Sequence, residues 1–215
     1  MHRILIVLSI LPILAVLMYR KFFADRALTD SSQKELKHDA QQLARKMLDS
    51  MHHENINVKS RNISWAGMNT LSKNVLTLPP DISNGLSARE HGKAALEVGL
   101  FLLLCRNPKV IARRQWAIRF GQVFPIFTTI VAIFALLVAK VSPSWLLSII
   151  TTSLATACCA QILTIMANLQ AADLATIVLE RKRIFPRLND EEAVIKATKA
   201  WARFGIVPGL LSRLM

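Results

Sequence analysis

Three runs of this 215-residue chain, Ile4 to Tyr19, Val123 to Ala139 and Leu146 to about Leu169, contain no Asp, Glu, Lys or Arg. In the hydrocarbon of a bilayer no water satisfies a backbone N–H or C=O, so segments of this kind must be helices. The first run has only 16 residues against the roughly 20 that a span usually takes, and it holds Pro12. Its flanks decide its reading: Arg3 precedes it, Arg20, Lys21 and Arg26 follow it, and no small-residue cleavage site stands at its end. That is the pattern of an uncleaved anchor whose C-terminal end faces the cytoplasm. Lys140 to Ser144 is a tight hairpin with one charge, and Trp145 stands at the position of an aromatic belt.

The charge balance, 27 Lys and Arg against 14 Asp and Glu, gives +13. Nucleic-acid binding is the first suspicion for such a chain, but there is no interleaved aromatic and basic patch and only one Tyr. The basic residues crowd instead against the apolar runs, which fits anionic lipid headgroups and the setting of topology. Lys109, Arg113, Arg114 and Arg119 stripe the segment after Asn107-Pro108, and Lys109 to Phe120 reads as an interfacial helix. Arg181, Lys182, Arg183 and Arg187 mark a return to the cytoplasm after the third run. All clusters agree on an N-terminus outside, three spans and a domain inside. Cys105, Cys158 and Cys159 lie in apolar runs and read as packed small hydrophobes, the adjacent pair pointing to different sides.

Between the spans, Leu36, Ala40, Leu43, Ala44, Met47, Leu48 and Met51 mark one face of an amphipathic helix over 29–51, opened by Ser31 or Ser32. Residues 55–78 alternate apolar and polar at Ile56 and Val58, Ile63 and Trp65, and again before Leu78, which predicts two or three short strands ended by Pro79-Pro80-Asp81. His52 and His53 follow a helix end without another His or Cys at ligand spacing, so solvated or capping roles are expected. Ser87 and Glu90 form a capping box that starts a helix near Ala88. His91 falls one turn inside that helix and is expected on its polar face. From Ala94 to Cys105 every residue is apolar or small except Glu97. A lone buried carboxylate is costly, so it is expected to be protonated or to borrow a donor, Asn168 or a backbone N–H being candidates. By itself it reads first as a buried structural Glu and only second as a relic of chemistry. Asn189 to Glu192 cap a last helix carrying Val194, Ala197, Trp201 and Phe204, and Gly205 to Met215 is too short to span.

Leu96-Glu97-Val98-Gly99-Leu100 is similar to the zinc-protease helix H-E-x-x-H with leucine at both histidine positions. In that motif two imidazoles four residues apart bind zinc and the Glu activates the metal-bound water. The surroundings resemble the YugP-type bacterial membrane zinc metallopeptidases. A strand followed by a turn ending in Y-x-G-R-S and a helix ending in A-x-H-E-V-G-H-A is matched by Asn74 to Leu78, Ser83 to Ser87 and Ala94 to Leu100, with Gly85, Ser87, Glu97, Val98 and Gly99 in register. The family's third ligand, a Glu in a stretch like Q-L-V-T-L-P-V-E-F-x-A-S, is matched by Asn168 in Gln161 to Ala172. Arg187 to Glu192 and Lys196 to Ala202 echo two later family stretches.

The resemblance implies a mostly α membrane protein, with three transmembrane helices and a small α+β zincin-like cytoplasmic domain. It divides into an anchor over 1–21, the zincin-like domain over 29–106 with the degenerate motif helix 87–106, a basic interfacial helix over 107–121, a transmembrane hairpin over 122–170 and C-terminal helices over 171–215. It implies a bacterial inner-membrane location. Glu97 takes the position of the general base, as a relic, and Leu96, Leu100 and Asn168 take the ligand positions, so neither a metal nor another cofactor is expected. The chain then reads as a pseudoenzyme that binds, with membrane lipids and other membrane subunits as partners and no nucleic acid. The alternative is an active zinc metalloendopeptidase with other ligands, although the five His residues offer no pair at i and i+4.

Overall fold

The computed structural model describes residues 2–61 and 75–205. Helix α1 (His2–Arg20) carries Pro12 inside it. Backbone angles at Arg20, Asp25 and Arg26 stay in the right-handed helical region, so α1 runs through one π-helical turn (Lys21–Asp25) into α2 (Arg26–Ser32). Ser31 and Ser32, expected to open the next helix, instead close this one. Their hydroxyls donate back to the carbonyls of Leu28 and Thr29 at 3.0 and 2.7 Å. A serine hydroxyl serves a helix end either way, and the sequence does not distinguish the two uses. The chain then passes through an extended link, where Glu35 bridges antiparallel to Ser87. Helix α3 (Ala40–Ser50) starts only after Asp39 and buries Leu43, Ala44, Met47 and Leu48.

Strands β1 (Asn57–Ser60) and β2 (Val75–Leu78) pair in parallel, Asn57 opposite Val75 and Ser60 opposite Leu78. The period of two along β2 buries Leu76 and Leu78. The strand expected at Ile63 and Trp65 lies outside the described residues. A short helix, α4 (Pro80–Ser83), leads to α5 (Ala88–Arg106), whose start is the capping box foreseen: the Ser87 backbone N–H donates to Glu90 at 3.0 Å. Asn107-Pro108 turns the chain into α6 (Pro108–Val138). Here the structure departs from the separate interfacial and spanning helices expected, because α6 is continuous through Gly121 and Pro125. The Thr129 hydroxyl donates back to the Pro125 carbonyl one turn earlier at 2.7 Å. After the hairpin at Lys140, α7 (Pro143–Ile162) breaks only at Leu163 before α8 (Thr164–Lys182), and α9 (Leu188–Phe204) follows an αL residue at Arg183.

Three segments among the described residues, Ile6–Ser32, Pro108–Val138 and Pro143–Lys182, are long and apolar enough to cross a membrane. The molecule is thus mostly helical, a membrane protein with a small two-stranded sheet among its described residues. Its main core joins Leu36, Leu43 and Met47 to Leu76, Leu78, Val98 and Phe101, and also to Val178, Leu179 and Val194. The segments 29–106 and 171–205 therefore share a single core. Cys158 is buried, whereas its neighbour Cys159, about 100° round the helix, is exposed, as is Cys105.

Candidate functional site

The central helix, α5, lies against α8 on one side and α9 on another. Two glycines allow this. A Cβ on Gly99 would stand 2.0 Å from the Ala171 carbonyl oxygen of α8, and one on Gly92 would stand 2.5 Å from the Ala197 Cβ of α9. Backbone-to-backbone approach at Gly99 brings the motif turn of α5 onto the turn of α8 that carries Asn168. Leu96 and Leu100 are buried there in one cluster with Leu103, Ile111, Ala167, Ala171, Ala172 and Ala202. Asn168, between Ala167 and Ala171 on the same helix, is itself buried, and Gly205 at the end of α9 comes close to its amide nitrogen. Leu96 and Leu100 thus share one cluster, and Asn168 lies on α8 between two alanines of it.

Glu97 is not paired in the way expected. Its Oε1 accepts the Lys93 ammonium at 2.9 Å across one turn of α5, and the carboxylate side chain is only 12% exposed. Burial alone would push its pKa up, but the charges of Lys93 and Arg114 and the Lys93 hydrogen bond outweigh burial and hold it below the ordinary 4.5. Of the two expectations, a protonated group or a borrowed donor, the structure shows the second, but the donor is Lys93 and neither Asn168 nor a backbone N–H. Lys93 in turn sits over the Trp201 ring, 5.3 Å from its centroid, while the Trp201 indole N–H donates to the Arg89 carbonyl at 2.9 Å. Asn168, the other candidate partner, is engaged elsewhere: its Oδ1 accepts from the Arg114 Nε–H of α6 at 2.6 Å.

Lys93, Arg114 and Trp201 are the members of this cluster that sequence reasoning missed. Lys93 was legible, since a position four residues before Glu97 faces it on a helix. Arg114 was placed only in a basic stripe, and nothing in its local sequence separates it from Arg113, which is exposed.

His91 also departs from expectation. It is 1% exposed, under α9 and the Phe185 ring, because α5 is covered on the side where a polar face was predicted. Its Nδ1–H donates to the Ser87 carbonyl at 2.8 Å, and Nε2 is buried. Burial lowers its pKa from 6.5, against the opposing pull of the Ser87 and His38 carbonyls and of Glu90 and Asp39. His53 packs edge-on against Phe101 at 5.5 Å, and His52 takes a positive φ of 60° at the end of α3.

Fold and site define a helical membrane protein in which a Glu-centred helix docks, glycine to backbone, on the continuation of a membrane hairpin. The family described as "Putative neutral zinc metallopeptidase" matches residues 3–215, and the chain belongs to that family. No curated protein and no solved structure matches it.

The family name implies zinc, and the residues present do not fit it. Zinc takes thiolate, imidazole or carboxylate donors at about 2.0 to 2.3 Å. Leu96 and Leu100 have no donor atom, and the Asn168 oxygen already accepts from a guanidinium whose charge would repel a second cation. Among the described residues no three His, Cys, Asp or Glu side chains cluster as a metal site.

Proposed function

We propose that this chain is a non-catalytic member of its family, a pseudoenzyme anchored in the bacterial inner membrane with its water-side domain toward the cytoplasm. It acts by binding, as a scaffold subunit of a membrane complex in contact with anionic lipid. One observation carries the reading. Of the positions where the resemblance puts three zinc ligands, two hold leucines buried together against Ala167 and Ala171 of α8, and the third, Asn168 between those alanines, is an amide already in use. Loss of even an outer partner of a zinc ligand typically costs about 10 to 100-fold in affinity or activity, and here the donors themselves are replaced. Glu97, the position of the general base, is tied to Lys93 and has no metal-bound water to activate.

Metal analysis tests this. Protein purified in mild detergent should carry no stoichiometric zinc and cleave no casein. One equivalent of zinc together with casein cleavage abolished by Glu97→Gln would establish the alternative, an active metalloendopeptidase with other ligands. The binding role is tested by gentle solubilisation, from which the chain should emerge in a complex. Recovery only as monomer, under conditions that preserve neighbouring assemblies, would refute it.

A further inference from the structure

Where the C-terminal end of α5 meets α8, a cavity of about 440 Å³ opens, with Leu103, Leu174 and Ile177 on its floor and Arg106, Gln170 and Asp173 on its rim. Clefts of this size, apolar with a few convergent polar groups, are where small ligands bind. The rim carries one charge of each sign, both exposed, and among the described residues neither side chain has an ion pair or a hydrogen bond of its own. We propose that this groove binds the headgroup of phosphatidylethanolamine from the leaflet beside the water-side domain, its phosphate on Arg106 and its primary ammonium on Asp173.

Depth, surface and chemistry each point to that occupant. Helix α6 has 31 residues, so at about 1.5 Å per residue it runs roughly 46 Å, close to the roughly 40 to 45 Å of a bilayer with its headgroups. Its far end, next to the Lys140 hairpin, belongs at the opposite surface. Its near end follows Asn107, which lines the groove, so the groove opens at headgroup level. On α8 the exposed positions Leu163, Met166, Gln170 and Asp173 follow one another at helical spacing. The lipid-facing stripe thus continues without a break into the groove, and a lipid whose tail lies on Leu163 and Met166 places its headgroup at Gln170 and Asp173. The opposite charges select that headgroup. A primary ammonium donates hydrogen bonds to a carboxylate, whereas the methylated ammonium of phosphatidylcholine has no N–H to give, and phosphatidylglycerol offers Asp173 no cation at all. Leu174 and Ile177 underlie the short carbon arm between the two charges.

Native mass spectrometry of the full chain in mild detergent tests this, with phosphatidylethanolamine, phosphatidylcholine or phosphatidylglycerol of the same acyl chains supplied in turn. The parent should hold one phosphatidylethanolamine at least about tenfold more tightly than either of the others, the worth of one hydrogen bond to a charged group. Asp173→Asn should bring phosphatidylethanolamine and phosphatidylcholine level, and Arg106→Gln should weaken both alike, because the phosphate is common to them. Both side chains are exposed, so each variant should keep the parent Tm; a lowered Tm would mean that they serve the fold and not a ligand. Equal retention of all three lipids by the parent, or a preference that survives Asp173→Asn, would overturn the proposal, as would tighter retention of phosphatidylglycerol, which would leave only a basic patch. Free phosphoethanolamine at matched concentration should not displace the bound lipid; if it does, the groove takes a soluble phosphate compound instead. A benzophenone at Ile177→Cys, in a background lacking the native cysteines, should cross-link to lipid in native membranes, and cross-linking to protein alone would refute a lipid site in favour of a partner subunit.

Discussion

Glu97 and His91 give the molecule two separate sensitivities to acid. For both, the folded pKa lies below the ordinary value, so on acidification the unfolded chain takes up a proton that the folded chain resists. Stability therefore falls as the pH drops below 6.5 on account of His91, and falls again below 4.5 on account of Glu97. Melting curves recorded from about pH 7 down to about pH 3 should show His91→Gln flattening the upper part of the profile and Glu97→Gln the lower. A parent profile that neither substitution changes would contradict these assignments. At this scale the sequence was only partly legible. An isolated carboxylate in an apolar helix was conspicuous, and so was the absence of ligands around it. The burial of His91 was not, because the covering side chains, Phe185 and the face of α9, come from almost 100 residues further along and leave no periodic trace in α5 itself.

The elements are held together by close approach. Gly99 is the tightest point, with the Ala171 carbonyl of α8 where a methyl group would have to go. Gly99→Ala should cost roughly 1 to 3 kcal/mol or more, the usual range for forcing a group into a packed interior, since a backbone carbonyl cannot move aside as a side chain can. Denaturation in detergent measures the loss, and Ala171→Gly should not relieve it, because the obstructing atom belongs to the main chain. The glycine was visible in the sequence as part of a motif, but its physical reason appears only with α8 in place. Helix boundaries were read well where a cap has one meaning, as at Ser87 and Glu90. They were read poorly where a residue can serve either end, as at Ser31 and Ser32, or where a basic stripe runs into an apolar run without a breaker, as in α6.

For the molecule as a whole, the apolar runs were the most legible feature, because an uninterrupted apolar run of this length satisfies its own backbone in lipid as a helix. Orientation rests on the basic clusters and has a direct check. In a background lacking the native cysteines, Ser142→Cys in the α6–α7 hairpin should react with a membrane-impermeant maleimide on intact cells, and Ser50→Cys at the end of α3 only after permeabilisation. The reverse pattern would invert the topology. What the sequence did not convey is that distant segments share one interior. Val194 of α9 is buried with Leu43 of α3, and Gly92 of α5 lies against Ala197 and Thr198. Helix α9 is thus wedged among elements made well before it. Until α9 is made, the flank of α5 around Gly92 has no helix to close over it. A stop codon ahead of Leu188 would then remove far more than a tail.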